Sequence, residues 1–127
     1  MFNAIADNYD LINHILSGGI DFYWRWRALS KLSSIENSVI LDLATGTGDF
    51  TIAARRFSPR RVVGVDVARE MIKLGTDKVS KCRFDARLLG GDAESLPFRC
   101  DTYDIVMAAL GVRNFGHIPT GLAEAFR

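Results

Sequence analysis

The sequence predicts an α/β fold built on a parallel sheet. Short continuous apolar runs alternate with amphipathic helical stretches, the pattern of strands covered by helices on both faces. The first such run passes straight into a glycine-rich turn and another helical stretch. A chain of 127 residues, 48% hydrophobic and 24% charged, has the size and composition of one ordinary globular domain.

The first third reads as helical. Ile5, Tyr9, Ile12 and Leu16 recur at helical spacing and predict one apolar stripe, closed by the breaker Ser17-Gly18-Gly19. Asp21 is the expected N-cap of a second helix dense in Phe22, Tyr23, Trp24 and Trp26, with Leu29 and Leu32. Packing against the main domain is the first expectation for that aromatic stripe, and a lid over an apolar substrate is compatible with it. From Val39 the grammar changes. Val39 to Ala44 is a first strand, and Phe50 to Phe57 a helix ended by Ser58-Pro59. Arg61 to Asp66 is a second strand, followed by a helix from Arg69 to about Val79. Phe84 to Leu89 is a weaker third strand and Asp104 to Leu110 a fourth, and Pro119 to Arg127 begins one more helix.

Composition excludes several classes. Sixteen Lys and Arg against fifteen Asp and Glu leave a net charge of +1, which offers no global attraction for nucleic acid. Cys82 and Cys100 are too few and too isolated for a disulfide scaffold or a zinc site, and fit a reducing cytoplasm. No apolar run approaches the ~18 residues of a membrane span.

Thr45-Gly46-Thr47-Gly48 lies where strand hands over to helix, the place at which open α/β folds bind nucleotides. A glycine pair is also an ordinary turn; position strengthens the ligand reading. Asp66 closes the next strand, where its carboxylate can accept from both ribose hydroxyls. Two features disfavour a dinucleotide such as NAD. The third small residue of a pyrophosphate fingerprint is replaced by Thr51, and Asp49 at the helix start would repel phosphate. A cationic or zwitterionic ligand fits better; S-adenosyl-L-methionine carries a sulfonium, an ammonium and no phosphate. After the third strand, Asp92 can accept from an adenine amino group and the Ala93 N–H can donate to a ring nitrogen. Asp92 alone would read as a capped turn; in register with Asp66 and the glycine loop, the ligand reading is favoured.

Leu41 to Asp49 (LDLATGTGD), Gly64-Val65-Asp66, Gly91 to Phe98 (GDAESLPF) and Gly111 to Phe115 (GVRNF) resemble the quinone C-methyltransferases of menaquinone and ubiquinone biosynthesis. The opening pattern of Phe2, Ile5, Ala6, Tyr9, Asp10, Asn13, Leu16, Ser17 and Gly19, with Trp24-Arg25, is similar to that family's start. The resemblance covers essentially the whole chain. It implies a Rossmann-like class I methyltransferase fold with strand order 3-2-1-4 and an N-terminal helical cap, residues 1–35 forming the cap and 36–127 the cofactor domain.

The resemblance also implies roles. Gly46, Thr47 and Gly48 would face the methionine part of S-adenosyl-L-methionine, Asp66 the ribose, and Asp92 with Ala93 the adenine. The reaction would be C-methylation of a prenylated quinol, with Arg113 and Asn114 at the quinol oxygens; a plain polar loop end is the competing reading of that pair. Tyr9, His14 and Trp24 are further pocket candidates for which packing or capping is the simpler role. His117 matches no catalytic residue and is expected at the surface. Ala109 and Leu110 depart from the hydroxyl and aromatic common at those places. No metal site and no nucleic-acid partner is expected. Peripheral membrane contact to reach the lipid substrate and cytoplasmic localisation are. The family pattern continues past Arg127, so the chain is expected to be an incomplete form with an open fourth-strand edge, inviting a second copy. A non-catalytic assembly subunit using that edge is the third reading, beside the methyltransferase and the NAD-type oxidoreductase.

Overall fold

The computed structural model of the chain describes residues 20–32 and 35–127. The expected first helix, with Tyr9 and His14, lies outside the described residues. The elements are α1 (Ile20–Ser30), β1 (Val39–Leu43), α2 (Asp49–Ala54) with a 3-10 turn at Arg55–Phe57, and β2 (Arg61–Asp66). There follow α3 (Arg69–Ser80), β3 (Ala86–Gly90), β4 (Ile105–Ala108), a 3-10 turn at Leu110–Asn114 and α4 (Ile118–Phe126). All strand pairs are parallel and the order is β3-β2-β1-β4. The fold is the Rossmann-like one expected, with β3 and β4 at the edges.

The central strands explain why the sequence folds this way. Ile40 to Leu43 and Val62 to Val65 are buried without a break, because both faces of the sheet are covered. Ile40, Val62 and Met107 pack under Phe50, Ala54, Leu29 and Ile35 on one face. On the other, Leu41, Leu43, Val63 and Val65 meet Ala93 and Leu96, with Phe115 and Ala125 at the margin. Each fully buried side chain of this kind stabilises the fold by roughly 1.5–3 kcal/mol. The register sets Leu43 level with Val65 and Ala108, and Asp66 level with Gly90. The carboxyl ends of all four strands therefore open on one side.

Four local expectations are corrected. First, Asp21 lies inside α1 (Ile20–Ser30) rather than at its cap. Second, the aromatic stripe is not packed inward: Tyr23, Trp24 and Trp26 are 49%, 60% and 47% exposed, while Leu29 enters the core. At 100° per residue, Arg25 and Leu29 share a face that these three aromatics do not. Third, β3 starts at Ala86 instead of Phe84. Arg83 sits at φ 50°, and Phe84 leaves the strand path to pack against the core. Fourth, β4 stops at Ala108, where Ala109 (φ −80°, ψ −140°) turns the chain into a 3-10 turn. The helix expected over 50–57 is α2 tightening into its 3-10 turn, closed by Ser58 at φ 52°.

Candidate functional site

The site is built on the exit from β1. Ala44 (φ 52°), Gly46 (φ 57°) and Gly48 (φ 82°) take the left-handed conformations that fold the loop back over the strand end. A Cβ on Gly46 would meet nothing within 4 Å, so the loop stands open at that point. Gly48 is the N-cap of α2, buried, with a Cβ there reaching Leu88 Cδ1 at 3.1 Å.

Beneath the loop lies a residue that sequence reasoning missed. Asp42 is 1% exposed. Its Oδ2 accepts from Thr45 Oγ1 at 2.7 Å and from Thr51 Oγ1 at 2.8 Å. Oδ1 has no hydrogen-bond partner among the described residues, and Asp42 lines the cavity described below. Burial pushes this carboxyl up to about 6, against the Thr45 and Thr51 hydroxyls, the Thr51 backbone N–H and the Arg25 charge, which favour ionisation. The signal was available: an aspartate inside the buried run Val39-Ile40-Leu41-Asp42-Leu43 contradicts the run and requires a reason.

Asp49 opens α2 between two cations, Lys78 Nζ at 2.7 Å and Arg25 at 3.5 Å. Its charge is therefore largely compensated, and repulsion of phosphate by Asp49 loses force as an argument. The glycine-spacing argument stands, because Thr51 is fully buried and hydrogen-bonded in the third small place.

Asp66, at the end of β2, accepts from Gly46 N and from Ala68 N, both at 2.8 Å. The carboxylate thus ties the glycine loop to the turn after β2 while remaining part-exposed. Asp92 folds a local turn, accepting from Glu94 N at 2.8 Å through its side chain and from Ser95 N at 3.1 Å through its carbonyl. The local turn and a position on the cavity coexist. This loop is pinned from α4: Glu124 accepts from Leu96 N, and Arg127 donates to the carbonyls of Leu96 and Phe98. Glu94 in turn accepts from His117 N at 2.9 Å. His117 is exposed, as expected, and caps α4 by accepting from Thr120 N.

Gly46, Thr47, Asp66, Asp92, Ala93, Arg113 and Asn114 all line one cavity of about 1080 Å³, and Gly48 does not. Trp24, Arg25 and Ala28 of α1 contribute to its wall. Arg113 and Asn114 are exposed on the 3-10 turn after β4, which Gly111 allows to lie close against Ala44; a Cβ there would stand 2.3 Å from that of Ala44. Five carboxylates (Asp42, Asp49, Asp66, Asp92, Glu94) and two arginines (Arg25, Arg113) line the space, a balance that suits a ligand carrying positive charge. Phe50, Met71 and Phe115 give it apolar wall.

Known proteins are similar to this chain in sequence and fold. The chain is 40% identical over 131 aligned residues to a demethylmenaquinone methyltransferase of Porphyromonas gingivalis, covering 100% of this chain and 54% of that protein. It is also 40% identical to a ubiquinone/menaquinone biosynthesis C-methyltransferase UbiE of Geotalea daltonii, covering 100% of this chain and 56% of that one. The chain spans about half the length of the curated relatives it matches. A crystal structure of a putative S-adenosyl-L-methionine-dependent methyltransferase from Methanococcus maripaludis superposes with TM-score 0.86, covering 98% of this chain and 57% of that chain. At 18% identity that likeness shows the fold alone. The fold and the family together imply S-adenosyl-L-methionine as the cofactor. The model of the ubiE/COQ5 methyltransferase family matches residues 1–127, and the chain belongs to that family.

Proposed function

We propose that the chain binds S-adenosyl-L-methionine across the carboxyl ends of β1, β2 and β3, for methylation of a ring carbon of a prenylated quinol. That quinol is demethylmenaquinol or its ubiquinone-pathway counterpart. One observation carries the reading: Asp42 in β1, Asp66 at the end of β2 and Asp92 just after β3 line a single cavity, the first with a buried oxygen that has no hydrogen-bond partner among the described residues. A buried carboxylate oxygen is costly to leave unmatched, and an ammonium group supplies the match.

The residues fit the cofactor part by part. Asp42 Oδ1 is the acceptor for its ammonium, and the open loop at Gly46 and Thr47 admits the methionine chain, with Gly48 setting the turn behind it. Asp66 keeps lone pairs beyond those used by Gly46 N and Ala68 N, and these serve the ribose hydroxyls. Asp92 and the Ala93 N–H serve the adenine edge. The bound cofactor supplies a methyl group activated by a sulfonium. Arg113 and Asn114, on the turn after β4, contact the quinol oxygens; Arg113 favours the phenolate that makes the ring carbon nucleophilic. The apolar wall excludes water and aligns the ring. Self-association of this chain through β4, which pairs only with β1 among the described residues, is an accompanying proposal, removed by light scattering that gives a monomer at high concentration.

The test is calorimetric. The folded chain is expected to bind S-adenosyl-L-methionine and not NADH; absence of binding by a chain with native circular dichroism refutes the reading. Mass spectrometry of a short-chain demethylmenaquinol incubated with chain and cofactor then tests for the added methyl.

A further inference from the structure

Of the outer face of α1, only Trp24 lines the cavity. Tyr23, Trp24 and Trp26 are about half exposed or more, and Leu32, just past the helix, is 44% exposed. With 100° between residues, Trp26, Tyr23, Arg27, Lys31 and Trp24 follow one another around a single face of the helix and its extension. Arg27 Nη1 lies 3.3 Å from the Tyr23 hydroxyl, so aromatic and cationic groups are interleaved there. Residues 23–32 contain no carboxylate, and the third cation, Arg25, is turned inward to Asp49. The opposite face is fixed by buried Leu29. Tryptophan and tyrosine beside arginine and lysine, exposed among the described residues and with no carboxylate in residues 23–32, is an aromatic and cationic composition that suits a lipid headgroup layer. Trp24 belongs both to this face and to the cavity wall, so the face is continuous with the cavity.

We propose that the outer face of α1, through Tyr23, Trp24, Trp26, Arg27 and Lys31, docks on an anionic lipid surface and holds the cavity beside it. The contact stands on the helix's own chemistry, and its purpose rests on the proposed quinol substrate, which partitions into lipid. Charge attracts the face, the indoles enter the headgroup region, and the inner face keeps the helix attached through Leu29 and Arg25.

The chain contains two tryptophans, Trp24 at the border of this face with the cavity and Trp26 away from it, so intrinsic fluorescence of the cofactor-free chain reports this face. Vesicles of phosphatidylcholine with about 30% phosphatidylserine are expected to shift the emission to the blue and to co-sediment with the chain. Arg27→Ala with Lys31→Ala is expected to lower partitioning about 25-fold, roughly fivefold for each basic residue near a charged surface. Trp26→Ser is expected to weaken it further. The docking is overturned by no shift on anionic vesicles, or by equal partitioning of the Arg27/Lys31 variant. It is also overturned if soluble glycerophosphoserine gives the same shift, which marks a free-anion site. A lipid-free blue shift that grows with protein concentration overturns it as well, since a second copy then covers the face. Calorimetry with S-adenosyl-L-methionine on the same samples separates the two readings. Cofactor binding without vesicle binding sinks the docking alone; vesicle binding without cofactor binding sinks the proposed function alone.

Discussion

Asp42→Asn tests the reasoning at its most exposed point, because stability and affinity should move in opposite directions. The ordinary carboxylate value is 3.8 and burial pushes Asp42 up to about 6. A raised carboxyl pKa means that the folded state binds the proton more tightly than the unfolded chain does. Between these values the folded protein therefore carries more protons, and stability falls as pH rises. The penalty is absent below the unfolded value and complete above the folded one. At 1.36 kcal/mol for each unit, the difference amounts to about 3 kcal/mol. Asparagine keeps a carbonyl oxygen for the Thr45 and Thr51 hydroxyls and removes the buried charge.

Urea denaturation of both proteins across pH isolates this group, since all other titrations cancel in the difference. Near pH 4 the two proteins should be about equally stable; by about pH 8 the variant should be more stable, by up to about 3 kcal/mol. The proposed ammonium partner stabilises the ionised carboxylate, so wild-type affinity for S-adenosyl-L-methionine should rise with pH through about 6. The variant should bind on the order of 10- to 100-fold more weakly, the worth of a hydrogen bond to a charged group. A variant less stable than wild type at high pH, or a stability difference independent of pH, would show that burial does not dominate Asp42.

Asp66→Ala removes the acceptor shared by Gly46 N and Ala68 N; it should cost about 1–3 kcal/mol in urea titration and weaken cofactor binding in calorimetry. Unchanged affinity would refute the ribose assignment. Gly111→Ala drives a Cβ to 2.3 Å from that of Ala44 and should destabilise the fold by about 1–3 kcal/mol. Ala44→Gly relieves both that clash and the left-handed φ of 52°, so the double variant should recover most of the loss in a double-mutant cycle; simple additivity would deny the contact. His117→Ala should lower the melting stability by about 1 kcal/mol through loss of the α4 cap, and His117→Ser should restore it. Cofactor affinity should be the same in all three forms, and a loss in calorimetry would give His117 a role beyond capping.

How much was legible in the sequence depended on whether a residue's role was local or distributed. Strands β1 and β2 were readable because central parallel strands are buried on both faces and therefore print as unbroken apolar runs. Edge strands carry a weaker signal: β3 buries only Leu88 among its five residues, and its start was misplaced by two positions. Asp66 and Asp92 were singled out because one closes β2 and the other follows β3 by two residues, and the structure places both on the cavity wall. Asp42 was overlooked because it sits inside a strand that otherwise looked perfectly apolar. Its partners, Thr45 at the start of the glycine turn and Thr51 beyond it, lie outside the strand, so the bonds that tolerate its burial are invisible to strand periodicity.

The aromatic helix failed for a different reason. Hydrophobicity ranks Trp24 and Trp26 as core, yet a tryptophan is amphipathic, and helical geometry had already assigned the inward face to Arg25 and Leu29. The inward arginine is the informative residue. An apolar side chain at position 25 would pair with Leu29 and ask for nothing beyond the core, but Arg25 must find charge and finds Asp49 at the mouth of the glycine loop. That pairing couples the orientation of α1 to the loop, since the cation on the helix and the carboxylate at the start of α2 fix each other. The outward turn of the aromatics therefore goes together with the way the glycine loop is held. Any lipid contact made by Tyr23, Trp24 and Trp26 bears on the same helix that forms part of the cavity wall.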